Sequence, residues 1–177
     1  MVSQCQIGVA SDDLGAQNAP AVKSRWIIVA IALVAASAFA VSVWAGRWWS
    51  IGDVEIGPFG SKQCFGGDCR PTSLTWVGGS ERWMRMGMAT WAGGLISMLV
   101  LVIVAAAVAA KRVPRLAART ALVAIGTAVV TGIAFIAQYP GVDGASVDRG
   151  LWLFVCAVVL GAVAAIGVLR ARTPAAV

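Results

Sequence analysis

The chain contains 177 residues, of which 59% are hydrophobic and 12% are charged. This composition excludes an ordinary soluble domain and predicts an integral membrane protein that builds one small helical core. A formal net charge of +6 is compatible with nucleic-acid binding, but the cations are unevenly distributed along the chain. We therefore attribute the basic charge to membrane topology and to attraction toward membrane lipids, and we expect no nucleic-acid partner.

Polar and small residues predict a flexible cytoplasmic tail over residues 1–24. The first uncharged apolar stretch follows at residues 26–46. Its early part resembles a signal peptide, because cations precede it and Ala38-Phe39-Ala40 forms a cleavage motif before Val41. The apolar run continues past this motif without a polar region, which favours a retained span. Cleavage, the alternative, would leave three spans.

Three further apolar stretches predict spans at about residues 86–110, 117–138 and 150–169. Each is about 20 residues or longer, the length that a helix needs to cross about 30 Å of hydrocarbon. Small residues recur at every fourth position in all four stretches, which favours close helix packing within the chain; contacts between copies are the alternative. Residues 25–170 are therefore predicted to form one transmembrane four-helix bundle, with a cytoplasmic tail at 171–177.

The placement of charge orients these spans. If the N-terminus is cytoplasmic, its side of the membrane carries eight cations and two acids, whereas the other side carries six of each. Segment 111–119 alone holds four cations and no acid. Because cytoplasmic loops of membrane proteins are enriched in Lys and Arg, we expect a multi-pass protein of the plasma (inner) membrane with both termini in the cytoplasm.

The longest connection, residues 47–85, is predicted to be extracellular and to form a small antiparallel sheet of about three strands. Residues 53–56 alternate polar and apolar side chains, as a half-buried strand does, and residues 73–77 are rich in β-formers. A glycine turn separates Cys64 from Cys69, and this spacing predicts a disulfide on the oxidising side of the membrane. A redox site is the alternative, although the spacing is not the CxxC arrangement.

Two sets of residues in this loop are candidates for function. The predicted interaction surface comprises Trp48, Trp49, Trp76, Asp53, Glu55 and Asp68. Tryptophans near span ends are also expected to form an aromatic belt at the lipid headgroups. Arg82 and Arg85 are predicted to anchor the loop, either by pairing with Asp53, Glu55 or Asp68 or by reaching the headgroups. The second connection, residues 140–149, is short and is expected only to cap the bundle.

Residue types that many catalytic and transport sites need are missing. The chain has no histidine, and no Asp, Glu, Lys or Arg lies inside the uncharged apolar stretches 26–46, 86–110, 120–142 and 150–169. Proton pumps and ion-coupled transporters rely on such intramembrane charges. A zinc site would need more thiolate or imidazole ligands than the loop offers. We therefore expect no catalytic residue, no metal and no cofactor, and we do not expect an enzyme.

The layout resembles the superfamily of claudins, peripheral myelin proteins and calcium-channel γ-subunits. These proteins have four spans, cytoplasmic termini, a larger first outer loop and a shorter second one. The residues that carry the resemblance are Trp44, Gly46, Trp48 and Trp49, followed by Cys64 and Cys69, and then Arg85, Met86 and Met88. The Gly-Leu-Trp triplet of that family is absent. The resemblance implies an outer-loop sheet with a paired cysteine motif, and roles in barriers or channel modulation.

The sequence therefore predicts a claudin-like, non-enzymatic membrane protein that acts through its outer loop. It would be an accessory subunit of a membrane complex or a scaffold that assembles with itself. An oligomeric ion-conducting pore lined by loop acids, or a channel modulator, is the main alternative. An enzyme acting on lipid or quinone at the outer interface is a third hypothesis, for which no base or nucleophile is apparent.

Overall fold

The computed structural model describes residues 19–72 and 77–171, with side chains from residue 24 onward. Its helices are α1 (Ala19–Ala40), α2 (Glu81–Ala109), α3 (Arg115–Ala137) and α4 (Arg149–Arg170). A π-helical turn, Val41–Ala45, prolongs α1. Most of both predicted tails, and residues 73–76 of the last predicted strand, lie outside the described residues.

All four helices are long and apolar enough to cross a membrane, as the sequence predicts. They alternate in direction and pack as a ring, in which α1 and α3 each contact both α2 and α4. The last residues of α1 and α3 therefore lie beside the first residues of α2 and α4, and we call this the sheet end. The start of α1, the turn at residues 110–114 and the last turn of α4 form the opposite end.

Small residues allow the helices to approach closely in the core. A Cβ atom on Gly93 of α2 would lie 3.2 Å from the Cα atom of Ala128 in α3. On α4, a Cβ atom on Gly161 would lie 3.1 Å from a methyl group of Leu101 and 3.6 Å from the ring of Phe39. All these residues are buried. The predicted use of small residues for packing within the chain is therefore confirmed.

A five-stranded antiparallel sheet covers the sheet end, in the order β4-β3-β2-β1-β5. The strands are β1 (Trp49–Ile51), β2 (Val54–Gly57), β3 (Gly60–Phe65), β4 (Asp68–Thr72) and β5 (Ser146–Val147). Strand β2 overlaps the predicted alternating strand, residues 53–56, except at its first residue, but the expectation of about three strands is too low. Strand β5 comes from the connection between α3 and α4 and pairs with β1, so that connection completes the sheet as well as capping the bundle.

The β3–β4 hairpin contains the predicted cysteine pair. Gly66 and Gly67 form its turn with φ angles of 58° and 95°, in the left-handed region that glycine favours. This turn places Cys64 directly opposite Cys69, and the two sulfur atoms form the predicted disulfide. The bond links neighbouring strands of one hairpin, so it stiffens the hairpin and does not fasten the sheet to the helices.

Candidate functional site

The sheet rests on a layer of aromatic rings at the sheet end of the bundle. The rings belong to Phe39, Trp48, Trp49, Trp83, Phe135, Tyr139 and Phe154. Trp49 of β1 stacks on Tyr139 with ring centroids 4.5 Å apart, and Trp83 stacks on Phe135 at 5.0 Å. Aromatic pairs contribute stability beyond the burial of their apolar surface, so this layer stabilises the position of the sheet on the helices.

Two buried indoles in this layer complete the hydrogen bonding of the helix ends. Trp83 Nε1 donates to the carbonyl oxygen of Phe135 at 2.9 Å. That carbonyl lies in the last turn of α3, where carbonyl groups have no partner within the helix. Trp48 Nε1 donates to the carbonyl oxygen of Ser42 at 3.2 Å, inside the π-helical turn. The aromatic layer therefore caps the helices as well as filling space.

Trp48 and Trp49 are 0% and 5% exposed. Their prediction as part of an exposed interaction surface is therefore wrong, because the turn out of α1 and the register of β1 direct both rings into the core. Trp76, the third tryptophan of that prediction, lies outside the described residues. Trp44 is 65% exposed on the flank of the bundle, where a ring of the predicted aromatic belt belongs.

Arg47 connects the two segments that form the sheet. Its Nη1 atom hydrogen-bonds to Glu55 on β2, and its Nε atom lies 2.9 Å from Asp148 Oδ2 as an ion pair without hydrogen-bond geometry. All three side chains are partly buried. A hydrogen bond from the backbone N–H of Arg149, followed by the charge of Arg47, holds the pKa of Asp148 below its ordinary value.

Arg82 and Arg85, the predicted anchors of the loop, do not take part in the ion pairs that Arg47 makes. Arg85 hydrogen-bonds to Glu81 at 2.7 Å within α2, and both side chains are largely exposed. Arg82 is exposed and has no ion pair among the described residues. The prediction that these arginines pair with Asp53, Glu55 or Asp68 is therefore wrong, because Arg85 pairs within its own helix and Arg47 pairs with Glu55. Their contact with lipid headgroups stays a prediction.

Backbone hydrogen bonds also join the end of the first helical segment to the start of α4, close to the ion pairs of Arg47. The N–H group of Asp148 donates to the carbonyl of Trp48, and the N–H group of Gly150 donates to the carbonyl of Arg47, both at 2.9 Å. Ser42 Oγ donates to the carbonyl of Gly150 at 2.8 Å, across 108 positions of sequence. A side chain at Gly150 would place its Cβ atom 2.8 Å from the carbonyl carbon of Arg47. The first and last helices are thus joined directly.

The β1–β2 and β3–β4 turns lie together at one end of the sheet, which we call the distal tip (residues 52–53 and 64–69). The N–H group of Cys64 donates to the carbonyl of Asp53 at 2.9 Å and links the two turns. The β2–β3 turn lies at the other end, where Phe59 contacts Trp91 of α2. The sheet is therefore anchored at one end, and its distal tip is exposed.

Three side chains dominate the distal tip. Asp53 and Asp68 are exposed carboxylates, and the ring of Phe65 is 62% exposed. All five residues of β4 are exposed as well. Of the predicted interaction residues, Asp53 and Asp68 therefore lie on one accessible surface. Glu55 does not, because it is partly buried in its ion pair with Arg47. Sequence reasoning missed Phe65, although its place beside a two-glycine hairpin turn signals an exposed aromatic residue.

A cleft of about 130 Å³ opens between the π-helical turn of α1 and strands β2 to β4. Its charged lining residues are Arg47, Glu55 and Lys62, and its aromatic ones are Trp44 and Phe59. Trp44 and Phe59 are parallel, with ring centroids 6.3 Å apart, and each contacts the ring of Trp91. The cleft thus combines three charged side chains with two exposed aromatic rings, one from the π-helical turn and one from the β2–β3 turn.

Among residues 19–72 and 77–171, no three His, Cys, Asp or Glu side chains cluster in a way that could hold a metal ion. Cys156 is a free cysteine, exposed on α4. No protein-family model, no curated protein and no solved structure matches the chain. The function is therefore inferred from the geometry of the chain itself.

Proposed function

We propose that this chain is a multi-pass membrane protein that crosses the bilayer with all four helices. The supporting observation is a belt of exposed aliphatic side chains around the bundle. Examples on each helix are Leu33, Val34, Ile96, Leu99, Val123, Val130, Val159 and Val163. Only 33–39% of each apolar helical segment is buried inside the protein. A soluble protein rarely exposes continuous apolar surface of this extent, whereas hydrocarbon covers it without cost.

The sheet end faces the cell exterior in this proposal, and the opposite end faces the cytoplasm. Within the described residues, every acid belongs to the sheet end, whereas the opposite end carries only cations. Those cations are Arg25, Lys111, Arg112, Arg115, Arg119 and Arg170. Such asymmetry sets the orientation of short loops and fits a plasma (inner) membrane protein with cytoplasmic termini.

A labelling experiment tests the orientation. In a Cys156→Ala variant with an oxidised Cys64–Cys69 bond, Cys5 is the remaining free thiol. An impermeant maleimide should label it only after the cells are lysed. Asp143→Cys, added to that variant on the exposed connection between α3 and α4, should be labelled on intact cells. Labelling of Cys5 on intact cells would reverse the proposed orientation.

In this proposal the protein acts through contacts of its distal tip. It is either an accessory subunit of a membrane complex or a scaffold that assembles with itself. It is claudin-like in its layout and is not an enzyme. The observation that carries this proposal is the disulfide-linked hairpin, which presents Phe65 and Asp68 at an exposed and stiff tip. An aromatic ring on a preorganised surface loses little conformational freedom on binding, so it suits the centre of a contact. The family resemblance points to the same part of the molecule.

Purification in a mild detergent tests this role. We expect the wild-type chain to elute in a complex, either with itself or with another membrane protein, by size-exclusion chromatography with light scattering. Phe65→Ser should release the monomer. Leu116→Ser, which changes an exposed apolar residue at the opposite end, is the matched control and should leave the complex intact. Recovery of only monomeric wild-type protein would contradict the proposal.

An oligomeric pore is the second candidate, because Asp53 and Asp68 both lie exposed on the distal tip. Carboxylates around the mouth of a path would favour cations. The measurement is ion flux into liposomes that contain the purified protein. Asp53→Asn combined with Asp68→Asn should lower cation selectivity if the tips line a path, and absence of flux through the wild-type protein removes this candidate.

A further inference from the structure

We propose that the cleft between the π-helical turn of α1 and strands β2 to β4 binds a phospholipid, with Lys62 contacting the phosphodiester and Trp44 and Phe59 contacting the upper acyl chains. This inference rests on the proposed membrane insertion of the four helices. It assigns a ligand to a surface that is separate from the distal tip.

The position of the cleft supports a lipid as the occupant. Val43 and Ala45 line its lower side at the point where the apolar run of α1 ends, and Lys62 and Pro71 of the sheet line its upper side. In a membrane-inserted bundle, this is the boundary between hydrocarbon and headgroups. A phospholipid is the molecule that presents an apolar chain on one side of that boundary and a phosphate on the other.

The charges favour Lys62 as the phosphate ligand. The guanidinium of Arg47 is already shared between Glu55 and Asp148, so its single charge is engaged by two carboxylates and is not available to a phosphate. Lys62 lies directly opposite Glu55 in the sheet, is exposed, and has no ion pair among the described residues. Its ammonium group is therefore free to bind a phosphate as a flexible point charge.

The aromatic wall suits the chain end of the same ligand. Trp44 of the π-helical turn and Phe59 of the β2–β3 turn are 65% and 57% exposed, and Trp91 of α2 contacts both rings. Amphipathic and aromatic rings prefer the headgroup boundary, where chains and glycerol meet. The volume of about 130 Å³ is below the roughly 300–1,000 Å³ of sites for drug-sized ligands. It therefore fits a headgroup, with the acyl chains lying outside the cleft along the aromatic rings.

Gly60 offers a second way to test the cleft. It lines the cleft and lies two positions before Lys62 on β3, so a side chain there would point to the same face of the sheet. A Cβ atom on Gly60 would meet only the carbonyl oxygen of Thr72, at an ordinary distance of 3.8 Å. A Gly60→Leu substitution should therefore fill the cleft without disturbing the strand.

The experiment is a titration of the full chain in a nonionic detergent with dioleoyl phosphatidylglycerol, followed by native mass spectrometry. Lys62→Gln should weaken lipid binding about tenfold, as loss of one charge-assisted hydrogen bond implies. Gly60→Leu should weaken it by at least as much, Lys62→Arg should retain it, and the control Lys111→Gln at the opposite end should leave it unchanged. Glycerol phosphate, which lacks chains, should not compete.

Equal losses in Lys62→Gln and Lys111→Gln would mean general charge attraction and would overturn the site. Unchanged binding in Gly60→Leu would also overturn it, and competition by glycerol phosphate would overturn the role of the aromatic wall. Alkaline carbonate extraction separates these outcomes from failure of membrane insertion. A chain that resists extraction but binds lipid equally in all variants contradicts only the lipid site, whereas a chain that is extracted contradicts the proposed insertion.

Discussion

The two ends of the helical bundle are held together in different ways. At the sheet end, hydrogen bonds, stacked rings and the Arg47 ion pairs join segments that are distant in sequence. At the opposite end, a short turn at residues 110–114 connects α2 to α3, and the described charges are all cations. The sheet end therefore depends on specific contacts between particular atoms, whereas the cations of the opposite end are exposed or partly exposed.

This difference indicates where substitutions will be tolerated. Cations at the opposite end are exposed or partly exposed, so one can replace another with little effect on packing. The rings of the aromatic layer are buried or partly buried, and Arg47 with its partners Glu55 and Asp148 is partly buried. Both groups are hydrogen-bonded, so each substitution there removes several interactions together. Matched substitutions at the two ends test this difference.

The largest effect is expected for Gly150→Ala at the start of α4. The new Cβ atom would lie 2.8 Å from the carbonyl carbons of both Gly46 and Arg47, so α4 must move away from the end of α1. Overpacking of this kind costs about 3 kcal/mol. Gly167→Ala near the other end of the same helix meets only Ile28, at 3.6 Å or more, and should change stability by less than about 0.5 kcal/mol. Thermal unfolding in detergent compares the two variants. Equal losses of stability would contradict the proposed difference between the two ends of the bundle.

Trp83→Phe should have the next largest effect. It removes the hydrogen bond to the carbonyl of Phe135 in a buried position and leaves a smaller ring in a filled layer. We expect a loss of about 2 kcal/mol. Trp26→Phe is the control, because Trp26 is 52% exposed near the opposite end. A similar unfolding temperature for Trp83→Phe and the wild-type protein would show that the indole bond contributes little.

Removal of the disulfide should produce a local effect. Replacing Cys64 and Cys69 together by serine frees a short loop, which costs about 2 kcal/mol in the chain-entropy model. Hydrogen exchange should become faster in β3 and β4 while the four helices keep their protection. Cys156→Ser, at an exposed free cysteine, should leave both regions unchanged. Loss of protection throughout the helices would mean that the distal tip supports the bundle, contrary to its position.

The smallest effect is expected for Asp148→Asn, and it should depend on pH. Because the pKa of Asp148 is lower in the folded protein than the ordinary value of about 4, its charged form stabilises the fold above that ordinary value. This contribution disappears as the pH falls through the lowered pKa. The wild-type unfolding temperature should therefore fall on acidification more steeply than that of Asp148→Asn, and parallel curves would contradict a role for the charge of Asp148, which the Arg149 N–H group and Arg47 both favour.

The helices could be predicted from the sequence because length and apolar composition alone define a candidate span. The actual helices extend beyond the apolar runs at polar ends: α2 begins at Glu81, after Ser80 accepts a hydrogen bond from the N–H group of Trp83. The β3–β4 hairpin and its disulfide were also predictable, because glycines between two cysteines form a local signal. These features depend on neighbours in sequence.

The remaining features depend on distant partners. Strand β1 has three residues, and its pairing of Trp49 with Val147 leaves no pattern in either segment alone. Trp48 and Trp49 follow directly after an apolar span, so they resemble residues of an aromatic belt, yet the turn out of α1 and strand β1 direct them inward. Arg47 pairs with Glu55 in the same loop and Asp148 beyond α3, a choice among several nearby acids that charge alone does not decide.

Strand β5 gives the fold an order of assembly during synthesis. The first four strands emerge from the ribosome before α2, but the partner on the outer side of β1 emerges only after α3 has been made. Until residues 146–150 arrive, β1 has a bare edge and the carbonyl of Arg47 lacks its bond from Gly150. The sheet therefore closes only when residues 146–150, which lead directly into α4, have been made, and closure of the sheet also fixes the start of the last helix.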